Sequence, residues 1–345
     1  MGVGVPNLSE AWNWYIKHFG MDVKVFEDKK TAKLMLPHTE GKVRDKHAVL
    51  AINMQGGGGF EIWQHTGKKP EPPLFNIELG DLGIYATKMK CVNIESAFAY
   101  QKLVSTNIIS NIEQAPNGQK HFFVKDLYGN IFQFVEEPVI FTKVKHIPSG
   151  GVFGAIIGVK NIDQSLPVYT DILGYDYVIF DETHSFSDFN SLPGGHSTYR
   201  RILLKHSISR KGAFASLLGT SQIELVQCID RVPLDIYEGR IWGDPGFIHL
   251  CFDINGMSSL RDFCKNKGFP FTVDSSNSFD MGDAAGHFSY IQAPEGTLIE
   301  FVETHKIPVL KKIGWYINLL KRNPEKPLKK FILKALSFNR VKNYV

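Results

Sequence analysis

Apolar and polar positions along the chain follow one pattern, used four times. A short apolar run comes first, an amphipathic stretch follows, and three further apolar or alternating runs close the unit. In the first unit the amphipathic stretch predicts a helix over about 9–19, with Ser9 as N-cap and Gly20 as the stop. Its last strand reads Phe60-Glu61-Ile62-Trp63-Gln64, after which Pro70, Pro72 and Pro73 break the chain. The second unit opens near 82–86, has a helix near 94–103 and ends at 132–136. The third opens at 152–157, has a helix near 163–173 with Asp163 near its cap, and ends at 222–227. The fourth opens at 247–252, has a helix near 258–267 and ends at 298–302.

The halves also repeat in letters. Gly4-Val5-Pro6-Asn7-Leu8, Tyr15 and Gly20 match Gly158-Val159-Lys160-Asn161-Ile162, Tyr169 and Gly174 at one constant offset of 154 residues. A second echo links 128–136 to 295–303. A duplicated half implies two similar domains rather than one large fold. A helix amid four strands, four times over, predicts α+β: four βαβββ modules paired into two domains with curved mixed sheets. The expected division is 1–137, 152–304 and a helical tail over 306–345, with 138–151 as linker. The stretch 180–197, polar and aromatic, reads as an inserted loop able to cover a cleft. Gly56-Gly57-Gly58-Gly59 lacks the Lys-Ser/Thr of a phosphate loop and reads as a bridge between strands.

Composition changes this picture little. At 345 residues and 43% hydrophobic, the chain can build two cores. Cys91, Cys228, Cys251 and Cys264 lack the spacing of a zinc knuckle or redox motif; disulfides stay open, but a large chain without a signal sequence is expected reduced and cytoplasmic. Charge matters more. The segment 306–345 carries eleven Lys and Arg against the single acid Glu325, a net of +10. The whole chain is +4, which leaves about −6 for the body. The tail has two apolar stripes, Leu310, Ile313, Ile317, Leu320 and then Leu328, Phe331, Ile332, Ala335, Leu336, set among lysines. They predict helices docked on the acidic body, or peripheral contact with an anionic membrane. No nucleic-acid motif stands in the body.

The end strands of the four units overlay as Phe60-Glu61-Ile62, Phe132-Gln133-Phe134, Ile223-Glu224-Leu225 and Ile299-Glu300-Phe301. Alternation sends the polar residue to the face opposite its apolar neighbours. If the sheets curl, that face lines a trough, where a carboxylate needs a partner or a metal. His249 sits between Ile248 and Leu250 in the opening strand of unit four. Glu224, His249 and Glu300 together supply two carboxylates and an imidazole, a set that suits Fe, Mn, Ni or Zn.

The run Gly158 to Gly174, and Ala293-Pro294-Glu295-Gly296-Thr297-Leu298-Ile299-Glu300, resemble the opening and closing segments of the vicinal oxygen chelate superfamily. That superfamily includes glyoxalase I, extradiol ring-cleaving dioxygenases, methylmalonyl-CoA epimerase, hydroxyphenylpyruvate dioxygenase and metal-free antibiotic-binding proteins. The resemblance covers about 1–304. It implies βαβββ modules curled round a trough, with metal ligands on the first and last strands of paired modules. Carried to the C-terminal half, those positions are Gly154, Glu224, His249 and Glu300. Ring-cleaving members carry a His at the place of Gly154, so the remaining three resemble glyoxalase I more. In the N-terminal half the positions are the residue before Met1, then Glu61, Gly83 and Gln133. The true start is therefore expected upstream, and that half reads as structural, with His65 sharing a face with Glu61. The resemblance implies a metal-dependent isomerase or lyase acting on two neighbouring oxygens of a small substrate. Glu224 or Glu300 would move the proton, and Tyr290, placed like a proton-donating Tyr of the family, would assist. Two alternatives stand beside this: an extradiol-type dioxygenase, and a metal-free small-molecule binder.

Overall fold

A computed structural model of the chain describes residues 1–144, 147–276, 279–280, 285–310 and 314–344. The four units are present. The first comprises β1 (Gly2–Gly4), α1 (Leu8–Phe19), β2 (Val23–Thr31), β3 (Asp45–Ile52) and β4 (Phe60–His65). The second comprises β5 (Gly83–Cys91), α2 (Ile94–Leu103), β6 (Asn107–Ile108), β7 (Glu113–Gln114), β8 (Lys120–Lys125) and β9 (Ile131–Glu136). The third comprises β10 (Ser149–Gly158), α3 (Ile162–Pro167), β11 (Tyr177–His184), β12 (Tyr199–Lys205), α4 (Ala215–Leu218) and β13 (Gln222–Cys228). The fourth comprises β14 (Gly246–Asp253), α5 (Met257–Asn266), β15 (Val273–Asp274), β16 (Phe279–Asp280), β17 (Ala285–Gln292) and β18 (Leu298–Leu310). β19 (Trp315–Asn318) and α6 (Lys330–Ala335) follow.

One capping device opens three of the unit helices. Asn7, Asn93 and Asn161 stand in extended backbone, and each side chain accepts the N–H three residues on, from Glu10, Ser96 and Gln164. The cap of α1 is thus Asn7 rather than Ser9, and that of α3 is Asn161 rather than Asp163. The Asx side chain reaches the orphan N–H from just outside the first turn. Gly20 closes α1 in the left-handed region, as expected.

The sheets do not follow the halves of the sequence. One runs β15-β17-β18-β14-β1-β4-β3-β2 and so joins units one and four; the other runs β11-β12-β13-β10-β5-β9-β8-β6 and joins units two and three. This corrects the expected pairing within 1–137 and within 152–304. The opening strands decide it: β1 pairs antiparallel with β14, and β5 with β10. The expected linker is short because β10 already begins at Ser149. The glycine run lies where the sheets meet. Gly58 bridges Val152, and a β-carbon on Gly151 would fall 2.4 Å from the Gly58 carbonyl oxygen, so backbone must face backbone there.

A continuous core runs between the sheets and includes Trp12, Tyr15, Phe19, Phe60, Phe132, Phe134, Tyr169, Phe247 and Phe301. The repeated tyrosines are buried anchors within it. Tyr15 donates to Asp126 at 2.7 Å, and Tyr169 donates to Glu295. Helix α1, and the helical turn Val168–Ile172 that continues α3, are thereby each tied to a turn in the next unit. All four cysteines are free thiols.

The tail is docked. Leu328 and Leu333 are buried in a cluster with Val23, Ile52, Met54, Phe141 and Leu217. Arg340 pairs with Asp22, and the Tyr344 ring packs tilted against Trp12, the centroids 4.7 Å apart. The first of the two tail stripes falls on strands: Leu310 ends β18 and Ile317 lies in β19, the two paired as a hairpin. Ile313 lies outside the described residues. Of the second stripe, Phe331, Ile332 and Ala335 lie in α6, Leu336 in the 3-10 turn that continues it, and Leu328 just before it.

Candidate metal centre

The centre of the first sheet brings four strands side by side, β18-β14-β1-β4. In β4, Phe60 and Ile62 are fully buried in the main core, so the intervening Glu61 takes the opposite face. In β18, Ile299 and Phe301 do the same for Glu300. β14 needs an extra device. Phe247 and Leu250 both enter the main core although three positions apart. A bulge between the Gly2–His249 and Val3–Phe247 pairs absorbs the odd residue. It turns His249 to the face shared by the two glutamates.

His249 Nε2 lies 3.2 Å from Glu300 Oε2 and 3.3 Å from Glu61 Oε2. One ligand atom from each of the three residues falls within 4.8 Å of the others. His249 is fully buried, and neither ring nitrogen has an aligned hydrogen bond. Gly2 stands opposite both His249 and Glu61 in register, and its missing side chain leaves room for the ring.

Electrostatics point the same way. Burial works to lower the His249 pKa, but Glu300 and then Glu61 outweigh it and hold it up at about 9. Burial would raise Glu61, yet the nearby His249 imidazole and Lys46 bring it to about 2. The two carboxylates thus hold a proton on the imidazole, a cation in the middle of the cluster. A divalent ion would take the place of that proton. Ligand atoms about 2.0–2.2 Å from one ion sit roughly 3.0–3.5 Å apart, the spacing found around Nε2. The residues present fit a divalent metal.

Tyr290 borders this centre. It pairs with Glu300 across β17 and β18, and its ring stands edge-on to His249 at 5.5 Å. Burial, then Glu300 and Glu61, push its pKa well above the ordinary 10, so the phenol keeps its proton. Trp63, Trp242, Ile248, Phe288 and Leu298 pack beside it.

Glu224 is not in this site, which corrects its place in the expected ligand set. It lies in β13 of the other sheet, where Lys88 Nζ is 2.7 Å from one carboxylate oxygen and the Arg201 guanidinium 2.7 Å from the other. Burial opposes its charge, but Arg201 and Lys88 hold its pKa at about 2. Arg201 also holds Asp188 at 2.8 Å, and Asp188 reaches His121 at 3.1 Å. Asp188 comes from the predicted inserted loop, whose Phe186, Phe189 and Leu192 are buried against this trough. Two cations and two carboxylates neutralise one another there. Gly154 cannot be a ligand, and a β-carbon on it would lie 1.7 Å from the Gln222 carbonyl oxygen. Glu61 takes the place expected of Glu224. Its signal was the Phe60-Glu61-Ile62 pattern, visible in the sequence but assigned there to a structural half.

The fold, βαβββ modules paired into two curled sheets, is similar to that of solved glyoxalase structures, and the candidate ligands Glu61, His249 and Glu300 stand on first and last strands of its units. A mutant form of glyoxalase I from Zea mays superposes with a TM-score of 0.54 at 12% identity, over 88% of this chain and 90% of that one. A candidate dioxygenase from Bacillus subtilis subsp. subtilis str. 168 matches with a TM-score of 0.54 at 14% identity, over 88% and 82%. At such identities the likeness is one of fold. No family model matches the sequence. No curated protein matches it either.

Proposed function

We propose that this protein is a metal-dependent enzyme of isomerase or lyase type, acting on a small substrate through two neighbouring oxygens. The observation that carries this reading is the convergence of Glu61, His249 and Glu300 from both ends of the chain. These three residues would hold the ion, which supplies Lewis-acid stabilisation of negative charge developing on the substrate oxygens. Glu61 and Glu300 are the carboxylates placed to move a proton; Glu224, committed to Lys88 and Arg201, is not. Tyr290 holds its proton and would donate a hydrogen bond to an oxygen at the centre.

Space for a substrate adjoins the centre. A cavity of about 430 Å³ is lined by Tyr175, Phe252, Phe301, His206 and Arg210, and by Cys251. Cys251 pairs with Glu300 across β14 and β18 and is exposed where it lines this cavity. That volume suits a small molecule. One imidazole with two carboxylates also differs from the two-His, one-carboxylate set of iron oxygenases, which favours isomerase or lyase chemistry over oxygen-dependent cleavage.

Elemental analysis of protein purified without chelator tests this reading. Ni, Zn or Mn is expected, in near-stoichiometric amount and without oxygen consumption. Iron together with oxygen uptake would favour the dioxygenase alternative. Failure to bind any of these ions at micromolar concentration would leave a metal-free binder.

A further inference from the structure

The tail is anchored through one side and leaves another uncovered. Leu328 and Leu333 point into the body and are buried. Phe331 and Phe338 are 61% and 76% exposed, and Leu320 is 64% exposed. Phe331 lies in α6 and Phe338 in the 3-10 turn that continues it over Leu336–Asn339. Seven residues apart on a continuous helical path, they share one side. Exposed cations surround them: Lys321, Lys326, Lys329, Lys330, Lys334, Arg340 and Lys342. Among the described residues, Arg340 is the one of these seven that forms an ion pair, with Asp22. Single exposed apolar residues need no explanation, but two phenylalanines on one side of this path are a different case, set among exposed lysines of which one, Lys330, lies over the Phe141 ring at 5.5 Å.

We propose that this face, Leu320 through Lys342, seats the protein on the surface of an anionic phospholipid bilayer. The phenylalanines enter the boundary between headgroups and acyl chains, and the lysines contact lipid phosphates. No helix among the described residues is long and apolar enough to cross a membrane, so the contact is with the surface of the bilayer. Charge selects the occupant. The face is cationic while the rest of the chain is mildly acidic, so the lysines have few anionic partners of their own. Exposed Phe side chains favour lipid over a soluble polyanion, which the lysines alone would bind. Docking also fixes the face. The Leu328 N–H is bonded to the Ala213 carbonyl at 2.9 Å, and Tyr344 is held by Asn13 at 2.7 Å and by Glu27.

That docking rules out simple truncation as the test, because removing the tail would uncover Trp12, Val23 and Phe141. The full chain is instead co-sedimented with phosphatidylglycerol–phosphatidylcholine vesicles and with pure phosphatidylcholine vesicles. Wild type is expected to pellet with the anionic vesicles at low salt and to release at high salt. Phe331→Ser with Phe338→Ser should weaken vesicle affinity by about tenfold or more. Lys326→Glu with Lys329→Glu and Lys334→Glu should abolish it and flatten the salt dependence. Far-UV dichroism and thermal melting should show both variants folded like wild type. Absence of pelleting by wild type overturns the proposal. So does a serine double variant that pellets like wild type, or retention on heparin without retention on vesicles. A dimer in solution that the serine double variant dissociates would reassign the face to a second copy of the chain.

Discussion

A β-carbon on Gly2 would fall 2.4 Å from Cε1 of His249 and 2.7 Å from both ring nitrogens. The imidazole therefore lies directly over the opening strand, in space that only glycine leaves free. Gly2→Ala should push the ring away from Glu61 and Glu300 while leaving the core intact. The expected result is a metal affinity lowered by about 10–100-fold, comparable to loss of a residue that orients a ligand, with an unchanged thermal midpoint in the metal-free protein. Calorimetric titration with Zn and Ni reads this directly. Unchanged affinity would mean that His249 is not a ligand in this position.

The ligand set itself is separable from the alternative containing Glu224. Glu61→Gln, His249→Ala and Glu300→Gln should each lower metal affinity by more than the roughly 100-fold that an outer partner can cost. Glu224→Gln should leave affinity within a few-fold of wild type. It should instead destabilise the fold, since Lys88 and Arg201 would lose a buried anion; breaking a buried pair costs about 3–5 kcal/mol. Urea unfolding alongside metal titration resolves the two effects. Metal binding lost with Glu224→Gln and kept with Glu61→Gln would restore the pairing within each half.

That contrast marks how far the sequence could be read. The unit, its helix, its closing Glu pattern and the paired tyrosines are local or repeated, and each was visible. Which unit pairs with which was not. All four opening strands are short and apolar, and any could pair with any other by hydrophobic pattern alone. Long-range pairing rests instead on contacts with no hydrophobic signature: the linker ties unit two to unit three, and the Gly56–Gly59 backbone of unit one meets Gly151 and Val152 of unit three. Glu61 and Glu224 sit in nearly identical local settings, so one becomes a ligand and the other a salt-bridge partner only through that pairing. The first tail stripe failed for a related reason. Its i, i+3, i+7 spacing suited a helix, but β18 runs on to Leu310 and recruits Trp315–Asn318 as a hairpin partner.

The two buried tyrosines should not be equivalent. Asp126, the partner of Tyr15, also accepts the backbone N–H groups of Tyr128 and Asn130 at 2.9 Å and the Asn130 amide at 2.8 Å. Glu295, the partner of Tyr169, has besides it the Ser165 hydroxyl at 2.8 Å, a smaller set of donors, while burial raises the pKa of both carboxyls. Tyr169→Phe should therefore cost about 1–3 kcal/mol and Tyr15→Phe clearly less. Denaturant midpoints of the two variants, compared with wild type, check the order. Equal losses would show that lost hydroxyl packing, rather than carboxylate satisfaction, dominates.

The Glu224 cluster also predicts a pH dependence. Burial alone would raise this carboxyl, but Arg201 and Lys88 hold its folded-state pKa at about 2 against an ordinary 4.5. The folded protein thus binds fewer protons here than the unfolded chain does between those two values. The stability it contributes is complete above about pH 4.5 and is lost as the pH falls toward 2. A shift of this size corresponds to something on the order of 3 kcal/mol. Asp188 is also held low, with His121 and Arg201 overcoming its burial, and it shares Arg201 with Glu224. The difference in unfolding free energy between wild type and Glu224→Gln therefore reports Glu224 together with its coupling to Asp188 and Lys88. It should be flat from about pH 6 to about 8 and shrink steadily below about pH 4.5. Chemical unfolding of the metal-free proteins at a series of pH values measures it. A difference that stays constant down to about pH 3 would mean that Glu224 is not held as an anion by Lys88 and Arg201, and that the second trough is closed by packing alone.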